Sequence, residues 1–224
     1  MKSWIAAYFS NVYWEDIAWA TLDTLSMLGG SLTLTVLLGL PLGVVLFLLS
    51  PKQLMDSPKA YAAMSFAVNV LRSLPFVILL IAMIPITVAI TGTSFGVAGS
   101  IPSLVVAGTP FFARLVESAM REVDRGIIEA SLAMGASTRQ IVFNALLREA
   151  LPGILAAATV TAIALVSYTA LAGVVGGGGL GDLAIRYGYQ RFQLDVMFIT
   201  IVLLLLIVQA LQSAGQRLVL HFSR

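Results

Sequence analysis

Side chains able to do chemistry are scarce in this chain. It has no cysteine, which excludes disulfides, thiol nucleophiles and thiolate metal sites. Its one histidine, His221, lies near the C-terminus, where a lone imidazole is a solvated or interfacial group rather than a ligand. Gly176-Gly177-Gly178-Gly179-Leu180-Gly181 contains the spacing G-x-G-x-x-G. It follows a long apolar run and not a strand of a βαβ unit, so it does not read as a dinucleotide site. No G-K-[ST] occurs, so the chain has no P-loop with which to hydrolyse ATP alone. One segment stands out for a different chemistry. Glu129 to Phe143, EASLAMGASTRQIVF, sits between long apolar runs in a chain that otherwise avoids charge. It holds an acid, two small residues, a glycine six positions after the acid, and a fresh helix-start signal. These residue types suit binding of another protein, not the making or breaking of bonds.

The elements around that segment follow from local rules. Asp124 and Gly126 interrupt the helix that enters it, and Ile127 to Met134 are good helix formers. Gly135 stands where a helix ends in the left-handed conformation. Ser137-Thr138-Arg139-Gln140 is a capping box of the S-x-x-Q type. A second helix then runs toward Leu151-Pro152, and Pro152 suits a first helical turn. The short helix is expected to expose Ile127, Ile128, Leu132 and Met134. That apolar face either packs on its own bundle or docks in a groove of a partner.

Composition places the whole in a membrane. Of 224 residues, 59% are hydrophobic and 11% charged, against about a quarter charged in soluble domains. The net charge of +2 and the lack of a dense Lys/Arg patch exclude a nucleic-acid partner. Residues 24–51, 73–113, 150–181 and 196–216 contain no Asp, Glu, Lys or Arg. A spanning helix needs about 20 residues. The second stretch is therefore long enough for two, divided at the turn signal Thr91-Gly92-Thr93-Ser94-Phe95-Gly96. The expected fold is an all-α integral membrane protein with five transmembrane helices, at about 24–49, 61–90, 95–113, 152–173 and 196–214. A coupling loop at 114–149 and a tail at 216–224 complete it. Residues 1–23 carry Trp4, Tyr8, Phe9, Tyr13, Trp14 and Trp19 and read as an interfacial segment.

Basic residues orient the bundle. With the N-terminus outside and the C-terminus inside, inner segments hold nine of them: Lys52, Lys59, Arg114, Arg121, Arg125, Arg139, Arg148, Arg217 and Arg224. Outer segments hold three: Lys2, Arg186 and Arg191. The loop 114–149 carries five arginines and five acids, so it is no polybasic lipid anchor.

EASLAMG resembles the EAA loop of bacterial ABC importer permeases, whose pattern is E-A-A, three residues, G, nine residues, I-x-L-P. Glu129, Ala130 and Gly135 match, and Ser131 replaces the second alanine. The I-x-L-P positions fall on Ala145, Leu147 and Arg148, where only the leucine matches; Leu151-Pro152 follows one turn later. LRSLPF at 71–76 and GDLAIRYGYQRF at 181–192 are similar to the permeases of methionine importers within that family. The resemblance spans about residues 24 to 215. It implies a type I importer transmembrane domain in the bacterial inner membrane, present as a homodimer. It further implies two ATP-binding subunits, which carry the ATP and magnesium, and an external substrate-binding protein. The implied cargo is an amino acid, D- or L-methionine, with other amino acids as the alternative. Glu129, Ala130, Ser131, Met134, Gly135 and Ala136 would form the ATPase-coupling surface.

Candidate pathway or gating positions are Arg72, Pro75, Ser167 and Tyr168. Arg72 is the one basic residue embedded near a span. Such groups line water, pair, or snorkel to the headgroups, and both readings stay open. Pro75, Pro85, Pro102 and Pro110 can bend their helices. The glycine run is expected to be a flexible outer turn, at the mouth of a pathway or merely linking two helices. The small face Gly153, Ala156, Ala157, Ala158, Thr159 and Thr161 suits protomer contact or pathway lining alike. A membrane enzyme would need acids, histidines or cysteines converging within the spans, which offer none. A passive channel would need no ATPase. The orientation predicts a labelling pattern. In the naturally cysteine-free chain, an impermeant thiol reagent on intact cells labels Gly178→Cys and spares Ser131→Cys. The reverse pattern overturns N-out, C-in.

Overall fold

A computed structural model describes residues 13–223. Among these, ten α-helices and two π-helical turns occur, with no strand. The helices are α1 (Trp14–Leu49), α2 (Pro58–Ser73), α3 (Phe76–Thr91), α4 (Gly96–Arg121), α5 (Arg125–Ala133), α6 (Thr138–Ile141), α7 (Leu147–Glu149), α8 (Leu151–Val174), α9 (Gly179–Leu183) and α10 (Leu194–Phe222). The π turns are Val142–Leu146, between α6 and α7, and Ala184–Tyr189, after α9. Four helices, α1, α4, α8 and α10, are long and apolar enough to cross a membrane, and α2 with α3 makes a fifth if counted as one broken span.

The boundaries differ from the expected ones in physically simple ways. No break separates the described part of the expected interfacial segment from the first span: Trp14 to Asp23 are already part of α1. At 36 residues, α1 is roughly 54 Å long, well beyond a hydrocarbon slab of about 30 Å. Residues 1–12 and 224 lie outside the described residues. Span two, expected at 61–90, is interrupted in its middle. Leu74 precedes a proline, which disfavours helical geometry, and Pro75 has no N–H to give α2's last turn. The two 16-residue pieces are each about 24 Å long, too short to cross alone. Span three does not stop at 113; α4 runs to Arg121. The expected tail at 216–224 is helical through Phe222 as the end of α10.

The chain forms two compact units. One holds residues 13–33, Leu74–Ala107 and Ala162–Leu211; the other holds Leu34–Ser73, Gly108–Thr161 and residues 212–223. The first unit is built on Met27, Leu28, Phe76, Leu80, Leu104, Leu165 and Ala172, with a second cluster at Ile17, Ala20, Leu180, Leu183 and Val196. The glycine run lies here and is packed, not slack. A Cβ at Gly173 would strike the backbone nitrogen of Asp182, and one at Gly181 would strike the backbone of Ala170. Leu180 is fully buried, and its N–H donates to Thr24 Oγ1 at 2.9 Å. Gly178 lies at φ 77°, so an outer cysteine reporter is better carried by the exposed Tyr189.

The second unit centres on Phe47, Phe112, Val116, Met120, Ile141, Leu146 and Ile154. Gly43 lets α1 approach α4 closely: a Cβ there would come within 2.6 Å of the Ala113 carbonyl oxygen. The small face of α8 is taken up within the chain only in part, with Ala156 exposed. Gly153 packs on Ala119, Thr159 on Gly215, and Ala157 and Thr161 are buried. The hairpin yields a stability prediction. Gly181→Val overpacks the backbone crossing at a cost of roughly 1–3 kcal/mol or more. The thermal unfolding midpoint of the detergent-solubilised protein should fall. An unchanged midpoint would mean that the crossing is loose.

Candidate coupling site

The segment 124–150 is assembled by local capping. Asp124 caps α5, its carboxylate accepting from the Gly126 N–H at 2.8 Å. The helix ends in a Schellman motif. Gly135 lies at φ 78°, its N–H donates to the Leu132 carbonyl at 2.9 Å, and the Ala136 N–H reaches back to Ser131 at 3.1 Å. Ser137 then opens α6 with the expected capping box: its N–H donates to Gln140 Oε1 at 2.8 Å, and the Gln140 N–H donates to Ser137 Oγ at 3.4 Å. The chain winds through the first π turn and α7, and Pro152 stands in the first turn of α8, as expected.

The apolar face of α5 divides in two. Ile128 is buried and Ile127 packs beside it on the chain's own core, contrary to the expectation that both are exposed. Leu132 and Met134 stay exposed, at 51% and 80%. Glu129, Ala130 and Gly135 are exposed with them, while Ser131 and Ala136 are half-buried. Ser131 turns its hydroxyl to the Ile127 carbonyl at 2.7 Å. Beside this face lies an open groove of about 410 Å³, lined by Ser131, Met134, Gly135, Ala136, Gln140 and Asn144 among others. A rigid one-turn corner thus presents an acid, two large apolar side chains and a shallow groove. Such a surface has the shape and chemistry suited to helix-in-groove docking.

The other candidate positions separate. Tyr168 stacks on Phe76, next to Pro75, with ring centroids 4.6 Å apart and planes 10° from parallel. Pro75 precedes the first turn of α3. Ser167, one step round α8, is exposed and lines an apolar cavity of about 600 Å³ with Val166, Ala170, Gly181 and Ile201 among others. Arg72 belongs to the other unit; it is exposed, with its guanidinium carbon 5.9 Å from the Phe111 ring centroid.

Sequence reasoning missed a buried carboxylate, Glu117, which is 3% exposed and bound by Arg114, Arg121 and Tyr61. The signal was present. Arg114, Glu117 and Arg121 are spaced i, i+3 and i, i+4, the spacing of helical ion pairs, within the stretch 114–149 expected to be a loop.

Among the described residues, then, an all-helical chain with several helices apolar enough to cross a membrane carries an exposed, capped corner between two of them. The chain belongs to the binding-protein-dependent transport system inner membrane components, whose family pattern matches residues 36–220. It is therefore the membrane-embedded part of a transport system and not an enzyme. It is 46% identical over 200 residues to the probable D-methionine transport system permease MetI of Vibrio cholerae, covering 89% of each chain. It is 43% identical over 208 residues to the methionine import system permease MetP of Bacillus subtilis, covering 93% of this chain and 94% of that one. Its fold matches a chain of the MetNI methionine ABC transporter, solved in an inward-facing conformation. The TM-score is 0.92 at 45% identity, over 93% of this chain and 97% of that one.

The left-handed corner generates a prediction. No side chain lies within reach of a Cβ at Gly135, so substitution there acts through backbone strain of about 1 kcal/mol or more and through the docked surface. Gly135→Leu should insert normally but retain less co-purified ATP-binding subunit, or hydrolyse ATP without uptake. Gly135→Asn, which tolerates the left-handed region, should lie closer to wild type. If Gly135→Leu keeps docking, hydrolysis and uptake, the corner is only a solvated turn.

Proposed function

We propose that this chain is the permease of an ATP-driven methionine importer. The exposed Leu132–Met134–Gly135 corner, held rigid by its two caps, is the observation that carries the coupling role. In this reading two copies form the pathway around a twofold axis. Two ATP-binding subunits seat α5 and its corner in a cleft on each, by helix-in-groove docking. A binding protein delivers methionine from outside. ATP-driven closure of the ATPase pair draws the two corners together and turns the pathway from inward-open to outward-open. ATP and its magnesium stay on the partner subunits.

The methionine assignment is supported by relatives at 43–46% identity that are named as methionine permeases and by the segments LRSLPF and GDLAIRYGYQRF. The N-out, C-in orientation is supported by the basic residues, nine inside against three outside. Arg72, Pro75, Ser167 and Tyr168 remain the proposed pathway or gating positions. Pro75 marks a helix break, a feature common where helices line a pathway. Proteoliposomes holding the whole complex, with ATP on the ATPase side, should accumulate labelled methionine. Transport of an unrelated amino acid, with methionine neither entering nor competing, refutes the assignment.

A further inference from the structure

Glu117 is the centre of a polar seam that joins α2 to α4. Tyr61 Oη donates to Glu117 Oε1 at 3.0 Å, and Arg121 Nη2 donates to the same oxygen at 2.6 Å. Arg114 Nη1 donates to Oε2 at 2.6 Å. The other end of the Arg114 guanidinium reaches Asn69 Oδ1 at 3.0 Å, the Ser65 carbonyl at 3.2 Å and the Ser65 hydroxyl. Arg72 continues the line over Phe111. Tyr61, Ser65, Asn69 and Arg72 form one stripe of α2, at spacings of four, four and three. Along α4 their partners run Arg121, Glu117, Arg114 and Phe111, in reverse order, so the two helices are antiparallel across the seam.

The seam's place in the chain gives it a mechanical role. Arg121 is the last residue of α4, and Asp124, three positions on, caps α5. Displacement of α5 is therefore delivered to the end of α4 that holds Arg121 and Glu117. Both oxygens of a buried carboxylate are engaged there. Sliding α4 past α2 would strip partners from a desolvated charge, which is costly. Apolar contacts such as that of Ile128 are non-directional and resist sliding far less. The motion is carried along α2 to Ser73, where the chain breaks at Leu74–Pro75. We infer that the Glu117 seam, with Arg114, Arg121 and Tyr61, is a transmission link that makes α2 move with the coupling corner. This rests on the coupling reading above. Glu117 is in this role a positioning residue, acting through the helices it joins.

The test measures ATP hydrolysed per methionine taken up in proteoliposomes of the complete complex. Glu117→Gln keeps the side chain's size but removes the charge. It should assemble with its ATPase subunits and still hydrolyse ATP, while the ATP-to-methionine ratio rises roughly tenfold, within the range of substitutions along coupling networks. Tyr61→Phe, which deletes one hydroxyl, should raise the ratio in the same direction by roughly threefold. It carries the comparison if Glu117→Gln does not assemble. Glu117→Asp should recover part of the coupling. Unchanged ratios, or hydrolysis and uptake falling together at constant ratio, would show that the seam only holds the fold and would overturn the link. A wild-type complex without ATP-driven uptake would instead sink the underlying functional reading.

Discussion

A peptide group in hydrocarbon must find its hydrogen-bond partner within the protein. Most of this structure is a response to that constraint. The spans are helices, and two of the turns between them are closed by hydrogen bonds of their own. Gly92 takes the left-handed conformation and returns its N–H to Val88 at 2.9 Å. The hairpin after α8 is tied more heavily. Gly177 donates to the Ala172 carbonyl and Gly96 to the Gly176 carbonyl, both at 2.9 Å, and Leu180 donates to Thr24. Glycine is needed in that hairpin because backbone passes against backbone, leaving no volume for a Cβ. The result is a compact crossing where composition alone implied a loose loop.

The same constraint governs charge. A carboxylate out of water is tolerable only when its oxygens are bound, and Glu117 has three partners on them. Breaking a buried pair by removing one partner typically costs about 3–5 kcal/mol, so such a group joins helices far more stiffly than leucine contacts do. The polar seam and the capped corner of α5 are complementary. One fixes where the corner is attached, the other fixes its shape, and both leave Leu132 and Met134 facing outward.

What could be read in the sequence was local. Gly135, the Ser137–Gln140 box, Pro152 and the Thr91–Gly96 turn each act within a few residues, and each is found where its chemistry requires. The exposed corner was legible for the same reason, with Glu129, Met134 and Gly135 close together on one short segment. What was not legible depended on distant partners. Ile128 is covered by residues from other elements. Tyr61 and Glu117 are 56 positions apart. Ending a span at the first arginine placed Arg114 in a loop, although a paired arginine can continue a helix for two more turns. The unbroken passage from Trp14 to Leu49 was hidden because aromatic residues suit an interfacial element and a helix extension equally.

Leu132 and Met134 also bear on how cells keep such a chain. Both side chains lie outward on a segment joining two spans, and among the described residues they stay exposed. If a partner subunit covers them as proposed above, a copy made without it would display an apolar knob of the kind chaperones and proteases recognise. The lifetime of such an orphan copy would then follow the supply of the subunit that covers it.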